Sequence, residues 1–132
     1  MKTDRYLVDT SIWVRYFNGE EGLEDRIKSL ILKDKVLTAG VIIFEILRGA
    51  KSVAGYNQLY LDFKALPLLE ADAEVWEEGY QMGFKLRKAG VVVPMSDILI
   101  AAIAIRHRSP LLHRDEHFYL IAKNSRLNQE QV

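Results

Sequence analysis

Tyr6-Leu7-Val8, Val36-Leu37-Thr38-Ala39 and Leu111-Leu112 are apolar runs of two to four residues, too short for helices and compatible with buried strands. Segments with helical spacing separate them. Ile12 to Phe17 reads as a short helix broken at Asn18-Gly19, and Leu23, Ile27, Leu30 and Ile31 mark an amphipathic one. Val41 to Leu47 reads as a helix ending at Arg48-Gly49, and Val53, Tyr56, Leu59, Tyr60 and Phe63 mark another. Leu66 to Leu69 is a short strand or an extended connection. Asp72 caps a long helix to about Lys88, stopped by Gly90, with Trp76, Tyr80, Gly83 and Phe84 as its expected core stripe and Glu78, Gln81 and Lys85 opposite. Ser96 or Asp97 opens a very apolar helix to Ile105, and Asp115 or Glu116 opens a last one through Ala122. The polar tail after Lys123 gives no assignment. Short apolar strands alternating with helices predict a small parallel sheet covered on both faces, and ligands of such sheets bind outside the carboxyl ends of the strands.

At 132 residues the chain has the length of one domain, spanning 1–132, and 49% apolar residues suffice for a core. Lys plus Arg equals Asp plus Glu at 18 each, which excludes a binder that works by bulk charge. The chain has no cysteine, so disulfides, cysteine nucleophiles and thiolate metal sites are excluded. The charged opening Met1-Lys2-Thr3-Asp4-Arg5-Tyr6 does not read as a secretory leader. The longest apolar run, Ile98 to Ile105, is eight residues, well short of the roughly 20 that cross a bilayer. A cytoplasmic protein with no membrane partner is expected.

Asp9 directly follows the first apolar run, Asp115 lies shortly after Leu111-Leu112, and Asp97 sits at the start of the most apolar helix. Glu45 lies among apolar neighbours, where a carboxylate is costly unless it is paired or metal-bound. Each acid also has a plain structural role. Asp9, Asp97 and Asp115 suit helix N-caps, and Glu45 can pair with Arg48 one turn on. Four acids at matching places on one sheet edge are also the hard oxygen ligands that Mg²⁺ or Mn²⁺ requires. On spacing alone, both interpretations stand.

Four segments, in order, carry a resemblance. Leu7-Val8-Asp9-Thr10-Ser11, Phe44-Glu45-Ile46-Leu47-Arg48-Gly49-Ala50, Ser96-Asp97-Ile98-Leu99-Ile100-Ala101-Ala102 and Leu111-Leu112-His113-Arg114-Asp115-Glu116-His117-Phe118 resemble the successive motifs of PIN-domain nucleases, in particular VapC-type toxins. The resemblance runs from about Tyr6 to about Phe118. It implies a three-layer α/β/α fold with a short parallel sheet. It implies that Asp9, Glu45, Asp97 and Asp115 are catalytic, that Asp9, Asp97 and Asp115 hold Mg²⁺ or Mn²⁺, and that the substrate is RNA. It further implies a homodimer and inhibition by a cognate VapB-type antitoxin. Ser11 matches the small hydroxyl residue that helps hold the family's site. At 113 the family usually has threonine or serine and this chain has histidine, so His113 is expected to stand beside the acids.

Arg106-His107-Arg108 and Arg114 are candidates for contacts to an RNA backbone. Trp13, Tyr16, Phe17, Tyr56, Tyr60 and Trp76 suit a core or an interface, and an antitoxin helix is expected near Trp13 and Phe17. His107 and His117 are expected on the surface. A dehalogenase-like phosphatase needs an aspartate where Ser11 stands, and a receiver domain needs its phosphoacceptor after a later strand. The remaining alternative is a PIN-like interaction module with impaired catalysis.

Overall fold

In the computed structural model, which describes residues 4–132, the three apolar runs become neighbouring strands of one parallel sheet. Met1 to Thr3, half of the opening read as lacking a leader, lie outside the described residues. The strands are β1 (Tyr6–Val8), β2 (Val36–Ala39), β3 (Leu68–Leu69), β4 (Leu111–His113) and β5 (Gln129–Gln131), in the spatial order β3-β2-β1-β4-β5. Leu7 pairs with Leu37 on one side and Leu111 on the other, so β1 is central. Leu7, Val8, Leu111 and Leu112 are fully buried, as strands covered on both faces require.

The connections carry α1 (Thr10–Phe17), α2 (Leu23–Leu32), α3 (Gly40–Arg48), α4 (Val53–Lys64), α5 (Ala73–Lys88), α6 (Met95–Arg106) and α7 (His117–Lys123). The chain first moves outward from β1 through β2 to β3, then returns past β1 to β4 and β5. Right-handed crossovers running in opposite directions put their helices on opposite faces of the sheet. The result is the expected α/β/α arrangement, with its switch point between β1 and β4.

Several boundaries differ from expectation for local reasons. Asp9 is the N-cap of α1, so that helix starts at Thr10. Neither Ser96 nor Asp97 opens α6: Pro94 is its N-cap and Met95 its first residue, which puts Asp97 inside the first turn. Residues Ile100 to Ile105 are all buried. Each buried isoleucine contributes roughly 1.5–3 kcal/mol, enough for α6 to tolerate a poorly solvated carboxylate at its start. The polar tail supplies β5, an edge strand whose Gln131 pairs with His113.

The expected core stripe of α5 is corrected. Trp76, Tyr80 and Phe84 are 44, 63 and 69% exposed, and Val75, Met82 and Leu86 face the core instead. The helix ends as expected. Gly90, at φ +75°, lets its own N–H donate to Arg87 O and the Val91 N–H donate to Leu86 O.

Candidate active site

Asp9 leaves the carboxyl end of β1 and Asp115 follows β4 by two residues, so both lie at the switch point of the sheet. The Asp9 side chain does cap α1. Its Oδ2 accepts from the Ser11 N–H at 2.9 Å and from Ser11 Oγ at 2.6 Å. Ser11 Oγ in turn accepts from the Arg114 N–H at 3.0 Å, which ties the loop after β4 to the loop after β1. Burial pushes the Asp9 carboxyl up against these bonds, and the nearby Glu45 charge pushes the same way.

Glu45 projects from α3 into partial exposure and accepts from Thr10 Oγ1 at 2.7 Å. Among the described residues it makes no ion pair with Arg48, so the structural role considered for it is not realised. Thr10, which the sequence did not single out, ties the start of α1 to the middle of α3.

Asp97 is 8% exposed. Its carboxyl is pushed up to about 6, mainly by burial, with the charges of Asp9 and Asp115 adding to the rise and a hydrogen bond from His117 opposing it. Asp115 Oδ1 accepts the His117 N–H at 3.0 Å, which turns the first residue of α7 back over the acids. His117 is therefore not a plain surface residue. Its Nδ1 lies 2.9 Å from Asp97 Oδ2 and 3.3 Å from Asp115 Oδ1. The spacing Asp-x-His across a helix start was the available signal for it.

His113 stands beside Asp115 but does not reach the acidic side chains. It is fully buried, with Phe118 and Tyr119 against its ring. Its Nδ1 accepts the Asp115 N–H at 3.2 Å, so Nε2 is the nitrogen that donates to Gln129 Oε1. It fixes the backbone of Asp115 rather than its carboxylate. Two of the cations considered for RNA are already engaged: Arg106 with Glu74, and Arg114 with Glu20 and the Val132 carbonyl.

The donor set suits a hard or borderline divalent cation. Asp97, Asp115 and His117 each offer a ligand atom within 4.8 Å of the other two, while Asp9 and Glu45 stand outside that group. The charges of Asp9 and Asp115 both act on Asp97, so these acids share one field. A bound cation relieves that repulsion, which is the physical reason to expect one.

The comparisons agree with this geometry. The model of the PIN domain matches residues 6–124. The chain is 32% identical over 126 residues to ribonuclease VapC11 of Mycobacterium tuberculosis, covering 92% of this chain and 94% of that one. Among solved structures, VapBC2 from Rickettsia felis bound to a promoter DNA fragment superposes with a TM-score of 0.80 at 17% identity, over 96% of this chain and 98% of the other. VapBC-1 from nontypeable Haemophilus influenzae superposes with a TM-score of 0.79 at 18% identity, over 96% of both chains. Matched over residues 6–124 and sharing 32% identity with a VapC ribonuclease over 92% of its length, this chain belongs to the PIN-domain family, in the group of the VapC proteins.

Proposed function

We propose that this chain is a divalent-metal-dependent endoribonuclease of the VapC kind, a toxin that hydrolyses RNA phosphodiester bonds and is restrained by a cognate VapB-type antitoxin. The observation that carries this is the convergence of Asp97, Asp115 and His117 beside the switch point, with Asp9 close enough for its charge to act on Asp97 and Glu45 close enough to act on Asp9. An interaction module without catalysis has no use for acids kept at such a cost, so that alternative is disfavoured. The relatives named as ribonucleases support the substrate class, and the solved VapBC assemblies support the partner.

Asp9, Glu45, Asp97 and Asp115 are assigned as catalytic, and Asp9, Asp97 and Asp115 as ligands of Mg²⁺ or Mn²⁺. The bound ion supplies Lewis acidity that activates a water and offsets phosphate charge. The protein's own part is placement. Ser11 fixes Asp9 from two donors, Thr10 steadies Glu45, and His113 holds the Asp115 backbone. Both Ser11 bonds fall on Asp9 Oδ2 and leave Oδ1 outside them.

The whole chain is assigned as one domain working in the cytoplasm as a homodimer. The exposed α5 face supports self-association. Trp76, Tyr80 and Phe84 form a stripe beside a cavity of about 790 Å³. Glu74, Glu77 and Glu78 lie toward one end of the helix and Lys85, Arg87 and Lys88 toward the other. Two such helices packed antiparallel about a twofold axis set the acidic end of each against the basic end of its mate. The antitoxin is assigned to the groove of about 500 Å³ lined by Trp13, Tyr16, Phe17 and Phe63. Tyr16 and Phe17 offer partly exposed rings there for the apolar face of an inserted helix.

Cleavage of a panel of structured RNAs by protein free of contaminating nuclease tests the activity. Cleavage with Mg²⁺ or Mn²⁺, lost in EDTA and in folded Asp9→Asn protein, is expected. Undiminished cleavage in EDTA overturns the proposal.

A further inference from the structure

Four acids were expected to form the site, and a histidine has joined them. We propose that His117 is a direct metal ligand through Nδ1, which gives this chain a mixed nitrogen–oxygen site selective for Mn²⁺ and softer divalent ions over Mg²⁺. The inference rests on the metal-dependent function proposed above and goes beyond the all-carboxylate ligand set that the family motifs imply.

Three observations support it. His117 presents Nδ1, not its ring face, to Asp97 and Asp115, at 2.9 and 3.3 Å from their oxygens. Metal–ligand bonds of about 2.1 Å put adjacent octahedral ligands about 3.0 Å apart. The two separations bracket that edge, and all three ligand atoms lie within 4.8 Å of one another, so an ion can take the place of the hydrogen bond from His117. Next, the ring is held from below. The His117 N–H is fixed on Asp115 Oδ1, and the Asp115 N–H is fixed on His113 Nδ1. A side chain whose backbone is bonded to its neighbouring ligand is pre-organised toward the same point in space. Finally, the His117 side chain is 39% exposed and the Asp115 side chain 34%, so ions and water reach the donors from solvent.

The consequence is selectivity. Carboxylates suit Mg²⁺, Ca²⁺ and Mn²⁺ alike, whereas imidazole favours transition metals. Exchanging one oxygen donor for nitrogen tilts the site away from Mg²⁺.

The test uses the intact protein loaded with Mn²⁺ alone. Pulsed electron paramagnetic resonance reads a directly bound ¹⁴N nucleus, and this measurement on the unaltered chain does not depend on any variant folding. Nitrogen coupling is expected in wild type and absent in His117→Ala. Calorimetric titration should show Mn²⁺ and Co²⁺ affinity falling about tenfold or more in His117→Ala while Mg²⁺ affinity falls less than about threefold. His117→Asp should recover Mg²⁺ binding without recovering the nitrogen signal. Mn²⁺ bound by wild type without nitrogen coupling, and an unchanged Mn²⁺-to-Mg²⁺ preference in His117→Ala, overturns the role of His117 and leaves the metal-dependent function standing. Failure of wild type to bind any divalent ion overturns both.

Discussion

Replacing Asp97 with Asn separates a metal site from a structural acid without any substrate. In the metal-free protein the Asp97 carboxyl is pushed from 3.8 up to about 6, first by burial and then by Asp9 and Asp115. The folded protein therefore holds this proton to higher pH than the unfolded chain does. The stability it gives is complete below pH 3.8 and is lost as pH rises through about 6. The difference between 6 and 3.8, at about 1.36 kcal/mol for each pH unit, sets a ceiling of roughly 3 kcal/mol on the cost at neutral pH. Asparagine carries no charge, and its oxygen still accepts from His117. In EDTA at pH 7.5 Asp97→Asn is expected to gain about 1–3 kcal/mol, each worth about 3–5 °C in melting midpoint for a chain of this length. The gain should shrink toward zero by pH 4. Mn²⁺ at a hundredfold excess over its Kd should stabilise wild type by about 2.7 kcal/mol, and the variant far less. Thermal melting of both proteins at pH 4, 5, 6 and 7.5, with EDTA and with Mn²⁺, measures all of this. A variant that melts below wild type in EDTA at pH 7.5, beside a wild type indifferent to Mn²⁺, would show that Asp97 is a structural acid.

Three further substitutions address the surroundings. Ser11→Ala removes the bridge from Asp9 to the Arg114 N–H. It should cost about 1–3 kcal/mol in melting experiments and weaken Mn²⁺ binding by about 10–100-fold in calorimetry. His113→Gln should lower stability by about 1–3 kcal/mol and leave the pH profile of cleavage parallel to wild type, because His113 meets the Asp115 backbone and Gln129 rather than the acids. A changed profile would return His113 to the acidic pocket. Phe84→Glu should convert dimer to monomer in sedimentation velocity while shifting stability by less than about 0.5 kcal/mol, since the ring is 69% exposed in the single chain.

The architecture was legible because its strands are buried on both faces. Tyr6-Leu7-Val8 and Val36 to Ala39 carry no alternation to confuse with an amphipathic surface, and Asp9 follows the first of these runs directly. α5 shows where that legibility stopped. It bears two apolar rows, Val75, Met82 and Leu86 on one side and Trp76, Tyr80 and Phe84 on the other. Helical periodicity identifies such rows but does not say which of them meets the core and which is left for a partner. The larger residues attracted the core assignment, and the smaller ones pack there. β5 was illegible for a different reason: Gln129-Glu130-Gln131 is a polar edge strand held by its backbone ladder to β4, so its side chains need no apolar pattern.

The acids were easy to place and hard to interpret, and Asp9 explains why. On spacing alone capping and metal binding are alternatives for it, but the structure uses the cap to build the site. A carboxylate at the end of β1 must be held still against the neighbouring charges of Glu45 and Asp97, and the first turn of α1 offers backbone and hydroxyl donors to do it. The cap consumes one oxygen. The same economy recurs at Asp115, whose Oδ1 accepts the first N–H of α7 and in doing so draws His117 onto Asp97. Sequence spacing identifies a residue able to cap. It does not reveal that the capped helix returns a nitrogen donor to the acid two residues before it, because that depends on the turn at Asp115, and the turn depends on His113 being anchored from below by β5. Loss of that anchor should therefore weaken the acidic site before it unfolds the sheet. Gln129→Ala tests this: Mn²⁺ affinity should fall by about 10-fold or more, while the metal-free melting midpoint drops by no more than the one lost hydrogen bond, about 1–3 kcal/mol. Unaltered Mn²⁺ affinity would sever the link from β5 to the metal site.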